Sequence, residues 1–420
     1  MKNSGIEWIG EIPDSWELQP LRGHLIEIKE SNDPIQTTQV LSLTNKLGVI
    51  PYEEKGEQGN KSKENYNEYK LAYPNTIVAN SMNILIGSVG ICNYFGCVSP
   101  VYYVFKPKDE QELKFLDYIF QSQPFQKELR KYAKGILEIR LRVSANDILR
   151  RQVAFPSSQQ QREIVDFLEA KLNQVDELIA NQQGQIEKLK EYKQSVITEA
   201  VTKGLDKSAP LKDSGIEWIG EIPAHWGITR IKNLFELRNE RNDEADLSKV
   251  NLISLYTDLG VVQHSDIVET TGNRAVTAEG YKFVYKNDIV VNIILCWMGA
   301  VGMSNYDGVT SPAYDIYKPK NGTLSEYYHY LFRTKRFNGE CYRYGRGIML
   351  MRWRTYSAEF TAINIPEPPK QEQIEILSYL KEKSEKIDRL IAIKQEKIEK
   401  LQEYKKSLIY EYVTGKKEVV

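Results

Sequence analysis

The sequence predicts an α+β protein in which two tandem-duplicated mixed α/β globules are separated by a long antiparallel two-helix coiled coil, with pseudo-twofold symmetry. Three observations predict it. Residues 4–13, SGIEWIGEIP, return unchanged at 214–223. Two long stretches, 212 positions apart, carry a coiled-coil period. Between each decapeptide and the stretch that follows it lie short β-rich runs punctuated by Gly, Asn and Pro, the texture of small, irregular, twisted sheets.

The duplication extends well beyond the decapeptide. A tryptophan follows each copy, Trp16 and Trp226, and the halves then keep step at an offset of 212. Leu43 matches Leu255, Gly48 matches Gly260, and Tyr73-Pro74-Asn75 matches Tyr285-Lys286-Asn287. Gly90 and Gly302, Gly96 and Gly308, Ser99-Pro100 and Ser311-Pro312 continue the series, which ends with Gly135-Ile136, Arg140 and Arg142 against Gly347-Ile348, Arg352 and Arg354. A repeat at this period means two copies of one folding unit.

Within the first half, strands are expected at 39–43, 76–80 and 101–105. A helix is expected over 112–121, with Leu113, Leu116 and Phe120 on one face, and another over 125–134 after a proline in its first turn. The long helices leave their globules after Pro156 and after Pro368-Pro369. Their seams advance in steps of three and four. One is Leu168, Leu172, Val175, Ile179, Ile186, Leu189, Val196 and Ala200, with Gln182 and Lys193 in its polar gaps. The other is Leu380, Ile387, Ile391, Ile398, Leu401, Leu408 and Tyr412, interrupted by Ser384, Lys394 and Lys405.

Each helix would run on the order of 60 Å at about 1.5 Å per residue. The connector from Lys203 to Asp213 spans at most about 36 Å, so a parallel pair is out of reach and an antiparallel one is expected. Gln182 and Lys394, near the helix midpoints, are expected to form a polar layer that fixes register. The decapeptide carries no set of reactive side chains, and its tryptophans point to a packing clip that anchors each globule against the helices.

Composition narrows the function. With 420 residues, 41% hydrophobic and 10% aromatic, the chain suits two or three soluble domains. The start, MKNSGIEWIG, lacks the basic and apolar regions of a secretory signal, and the longest apolar stretch, 289–303, is too short to span a membrane. A cytoplasmic protein without membrane contact is expected. Cys92 and Cys97 stand opposite Ser304 and Val309 in the other half, which favours buried thiols over a metal pair. No phosphate-binding loop, dinucleotide fingerprint, zinc-protease motif or nucleophile elbow is present.

The net charge of −1 hides two basic patches. Residues 125–156 hold eight Lys/Arg against three Asp/Glu, and residues 333–354 hold seven against one. Both contain G-I-x-x-x-R-x-R, whose arginines, two apart on extended backbone, share a face and match phosphate oxygens or guanine edges. Lys131, Lys134, Arg140 and Arg142 form one candidate DNA-binding set, and Arg343, Arg346, Arg352 and Arg354 the other. Residues 44–68 and 256–280 diverge between the halves, apart from Gly48/Gly260 and the triplets Gly59-Asn60-Lys61 and Gly272-Asn273-Arg274. A shared frame with divergent loops suits two modules that read different targets, with Asn60, Lys61, Asn273 and Arg274 as candidate base-edge contacts.

Two globules, each opened by E-W-I-G-x-I-P-x-x-W and closed by G-I-x-x-x-R-x-R, a proline exit and a long helix containing E-Y-K, resemble the specificity subunit of a type I restriction-modification enzyme. The resemblance covers the whole chain. It departs from the family's P-P-x-x-E-Q exit in the first half, where Pro156 is followed by Ser-Ser-Gln-Gln-Gln, and keeps it at Pro368-Pro369-Lys-Gln-Glu372-Gln373. The resemblance implies target-recognition domains at 1–156 and 204–368 and spacer helices at 157–203 and 369–415. It also implies double-stranded DNA as ligand, two docked methyltransferase subunits and motor-nuclease subunits. S-adenosylmethionine, ATP and magnesium would belong to those partners, with no cofactor and no catalytic residue in this chain. The rival readings are a protein-binding scaffold, which polyanions would not displace from its partner, and an enzyme with an unfamiliar site, against which no reactive cluster recurs in both halves.

Overall fold

The computed structural model describes residues 1–44, 47–55, 65–108, 112–135, 141–266, 277–320, 322–347 and 353–419. The chain divides into two compact units, Met1–Gln183 with Gln395–Val420, and Gly184–Lys394. Both long helices, Ser158–Lys203 and Lys370–Val413, are shared between the units.

In the first unit a four-stranded antiparallel sheet runs in the order Leu25–Ile28, Tyr102–Pro107, Thr76–Asn80, Val89–Cys92. Thr76–Asn80 is buried throughout, as its short, near-continuous apolar run requires. Leu41–Thr44 pairs with Gly48–Pro51, and Lys70–Ala72 with Gly96–Val98. Gln39, expected to begin a strand, lies outside that ladder because its carbonyl accepts the Cys97 amide at 2.8 Å.

The helix Leu113–Gln121 is capped by the Glu112 side chain and buries Phe115, Leu116, Ile119 and Phe120. The next helix, Gln123–Arg130, has proline in its first turn and ends four residues before the expected Lys134. Lys134 is drawn instead into a bridge with Arg142, a long-range pairing that overrides local helix preference.

The second unit repeats this frame. Its sheet order is Phe235–Arg238, Tyr314–Pro319, Ile289–Asn292, Val301–Met303, with Ile253–Tyr256 paired to Gly260–Gln263. Ser325–Phe332 and Lys335–Tyr344 repeat the two helices. The copies agree even in backbone exceptions: Asn75 and Asn287 both adopt left-handed φ, 61° and 75°. That conformation suits Asn because its short side chain bonds locally.

The decapeptides pack as clips. In the first unit Ile9 and Ile12 are buried, Trp8 meets Phe125 at 5.3 Å, and the Trp8 carbonyl accepts from Tyr410 Oη at 3.1 Å. In the second, Trp218 meets Phe337 at 5.6 Å, and Trp226 Nε1 donates to Glu372 at 2.9 Å. Both long helices open with a buried glutamine bonded back to a proline carbonyl, Gln161 to Pro156 and Gln373 to Pro368. The atypical first exit therefore keeps the same anchor.

Opposed helix directions are visible inside each unit. In the first, Phe167 meets Tyr412 and Asp176 pairs with Lys405, so one number falls as the other rises. In the second, Gln185 accepts from Lys394 and Lys193 pairs with Asp388 at 2.8 Å. Lys394 thus has Gln185 as a partner. Leu168, Leu172, Val175, Gln182, Ile186, Val196, Leu380, Ile387 and Leu408 are buried, while Ile179, Leu189, Ile391, Ile398 and Leu401 are half-buried.

All four cysteines are buried thiols; burial raises the pKa of Cys92 and Cys97, and Cys92 Sγ donates to the Tyr94 carbonyl. Among the described residues no group of His, Cys, Asp or Glu is arranged to hold a metal, and no helix is long and apolar enough to cross a membrane.

Candidate nucleic-acid interface

Each basic patch contains one isolated antiparallel bridge. Lys134 and Arg142 exchange both backbone hydrogen bonds, at 2.8 and 2.9 Å. Arg346 and Arg354 do the same, at 2.9 and 3.0 Å. Residues that exchange both bonds across an antiparallel bridge project their side chains from the same face, with Cα atoms about 5.5 Å apart. Each unit therefore sets two cations side by side, and all four residues are exposed. Like charges directly opposite one another are destabilising, so this arrangement favours an anion between them.

The remaining candidates divide. Lys131 is held by Glu7 at 3.0 Å and Glu128 at 2.9 Å, and hydrogen bonding to Glu128, then Glu7, raises its pKa. Arg343 grips Glu340 of its own helix, which raises its pKa, and Arg346 pairs with Glu359. Lys134, Arg142 and Arg354 form no ion pair with a described carboxylate, so their charge is unspent. Arg140, Arg352, Asn60, Lys61, Asn273 and Arg274 lie outside the described residues. Residues 56–64 and 267–276 of the divergent segments also lie outside them, after the short turns Tyr52–Lys55 and His264–Asp266.

Several site features escaped the sequence reading. Arg151 stacks on the Tyr132 ring at 3.5 Å and donates from Nε to the Asp147 carbonyl. Lys70 and Lys282 donate to the Tyr102 and Tyr314 carbonyls at 2.8 and 2.6 Å, tying the strands Lys70–Ala72 and Lys282–Val284 to the main sheets. Burial lowers the Lys70 pKa. The matched spacing of 32 residues from each lysine to its carbonyl was a detectable signal only once the register was known.

The units differ behind their hairpins. In the second, Arg333 reaches the carbonyls of Thr257, Asp258 and Val301 at 3.0, 2.7 and 3.1 Å, clamping the turn after Tyr256. His329 Nδ1 beside it accepts the Met303 amide at 3.1 Å. Burial, then the Arg333 charge, lowers the His329 pKa to about 4. The first unit has Gln121 and Asp117 at these places and an open groove of about 1160 Å³, rimmed by Lys114, Lys127, Arg130, Lys405 and Lys406. Burial raises the Asp117 pKa, with Lys114 opposing it.

The comparisons bear on what this frame is for. The type I restriction-modification DNA specificity domain matches twice, at residues 15–190 and 223–403. The type I restriction enzyme MjaIX specificity subunit of Methanocaldococcus jannaschii is 23% identical over 168 residues. That match covers 38% of this chain and spans 39% of the relative's own length. Two solved structures share the fold. A chain from a study of complex assembly and conformational transition of the type I R-M system has a TM-score of 0.67 at 12% identity, covering 96% of this chain and 98% of that one. The HsdS subunit of Thermoanaerobacter tengcongensis has a TM-score of 0.52 at 14% identity, covering 99% and 100%. With the family's domain matched across most of both halves, the chain belongs to the type I restriction-modification DNA specificity family.

Proposed function

We propose that this chain is the sequence-specific DNA-recognition subunit of a type I restriction-modification complex, each globular half reading one part of a split, asymmetric site. The observation that carries this reading is the bridge of opposed basic residues repeated in both units, Lys134 with Arg142 and Arg346 with Arg354, of which only Arg346 has a described carboxylate partner. Phosphate oxygens relieve that repulsion and supply affinity independent of sequence. The loops that differ between the halves, bearing Asn60, Lys61, Asn273 and Arg274, read base edges. Arg140 and Arg352 join the phosphate contacts. Polyanion competition tests the reading: heparin should displace duplex DNA from the protein, and DNA binding insensitive to heparin and salt would contradict it.

The antiparallel coiled coil separates two target-recognition domains, 1–156 and 204–368, and sets the number of unspecified bases between the half-sites. It also docks two methyltransferase subunits. Leu178 and Leu390, equivalent in the duplication, are each 47% exposed, and Tyr192 and Tyr404, also equivalent, are 53% and 48% exposed. Apolar side chains left uncovered at matching places on both helices suit two copies of one partner. The chain itself is non-catalytic. Methyl transfer with S-adenosylmethionine, and ATP- and magnesium-dependent cleavage, belong to methyltransferase and motor-nuclease subunits, in a cytoplasmic assembly.

A further inference from the structure

The second unit carries an aromatic stack that the first lacks. Tyr342 and Trp353 lie ring over ring, 4.9 Å apart and 19° from parallel, and Trp297 meets the Tyr342 ring edge-on at 5.7 Å. The seat is built for the indole. Trp353 Nε1 donates to the Tyr342 carbonyl at 3.0 Å, and a Cβ on Gly345 would stand 2.4 Å from that nitrogen. At the equivalent positions the first unit has Arg130, Leu141, Leu85 and Ala133, so the side chains of the stack and the glycine that admits it change together.

The stack is only partly buried. The helix Lys335–Tyr344 buries Phe337 and Cys341 on its core face, yet Tyr342 is 42% exposed. Basic residues stand near it in the chain: the side chains of Arg343 and Arg346, paired with Glu340 and Glu359, are 60% and 70% exposed, and Arg354, without a described carboxylate partner, follows Trp353. Aromatic faces set among arginines are the arrangement by which proteins hold bases and backbone of unpaired strands together.

We propose that the Tyr342–Trp353 stack receives the face of a nucleobase that has left the helical stack, a contact made by the second unit alone. This rests on the DNA-reading role, in which Arg354 contacts phosphate.

The test titrates the full chain with two probes: a mixed-sequence single strand of about 12 nucleotides and an abasic deoxyribose-phosphate oligomer of equal length. Tryptophan fluorescence and anisotropy report binding. The native protein should bind the base-bearing strand about tenfold more tightly, the scale of one stacked base, with quenched tryptophan emission. The double variant Tyr342→Arg, Trp353→Leu takes its residues from the first unit, and a melting curve checks its fold. It should bind the two probes equally, the added arginine strengthening both alike. Trp353→Phe, which keeps a ring, should retain most of the difference. Equal, salt-sensitive binding of both probes by the native protein would overturn the platform and leave the phosphate role standing. No binding of either would overturn the platform, and a mixed-sequence duplex titrated alongside reports the DNA-reading role separately.

Discussion

Lys134 and Arg142, eight positions apart, face each other across an antiparallel bridge with both backbone hydrogen bonds formed, at 2.8 and 2.9 Å. The same relationship recurs between Arg346 and Arg354 in the second unit. Neither Arg142 nor Arg354 pairs with a described carboxylate, in contrast to Lys131 with its two glutamates.

Replacing Arg142 or Arg354 with alanine should weaken DNA binding across sequences and reduce the slope of log K against log salt by about 1 for each. Lys131→Ala should have a smaller effect, because Glu7 and Glu128 already engage the ammonium. Anisotropy titrations over a salt series with several unrelated duplexes measure both quantities. A changed sequence preference at unaltered salt slope would contradict the phosphate role.

Inserting about four residues, roughly one turn, into both long helices should lengthen the gap between half-sites while leaving each half-site readable. Selection from random DNA with the assembled complex reports the gap. An unchanged gap would sink the idea that the helix pair measures it.

The pH response of the second unit should carry the mark of His329. Its folded pKa, about 4, lies below the ordinary 6.5 because burial disfavours the charged ring. As pH falls below 6.5 the unfolded chain takes up the proton first, so stability drops between about pH 6.5 and 4 and this contribution falls no further below that. The full loss is about 3 kcal/mol. His329→Asn should flatten that part of the stability curve in denaturant titrations; an unchanged slope would refute the assignment. Asp117, at the matching place, has the opposite sign: its raised pKa makes acid favour the folded first unit.

Gly308 and Gly96 admit a close backbone crossing. A Cβ would stand 2.3 Å from the Asn251 carbonyl oxygen at Gly308 and 2.7 Å from that of Gln39 at Gly96. Backbone cannot step aside cheaply, so Gly308→Ala and Gly96→Ala should each destabilise by about 1–3 kcal/mol, Gly308→Ala the more. Urea unfolding of the two variants measures the order. Equal stability to the native chain would mean that the hairpins shift freely.

Much of the fold was legible because it is periodic or repeated. Steps of three and four at Leu168, Leu172 and Val175 specify a buried helix stripe without knowledge of its partner, and the decapeptide revealed two copies before any element was assigned. What escaped depends on residues far apart in sequence. Nothing local in Lys131–Lys134 announces the bridge to Arg142 that ends the helix at Arg130. The pairing of Glu17–Pro20 with Gln152–Phe155 joins the two ends of the first globule and has no local signature. At the site, charge composition located the basic patches, but not which cations their own carboxylates engage. The Tyr342–Trp353 stack was invisible for a similar reason: it needs Gly345 to admit the indole, and a tyrosine eleven positions from a tryptophan is unremarkable until the chain folds back.

The most direct measurement is a map of methylated bases across the host genome, with and without this gene. The account predicts that deletion removes methylation at one split motif, two short specified blocks separated by a fixed run of unspecified bases, and that exchanging residues 204–368 for those of another family member changes one block only. Loss of a single contiguous motif, or a change in both blocks after the exchange, would contradict it.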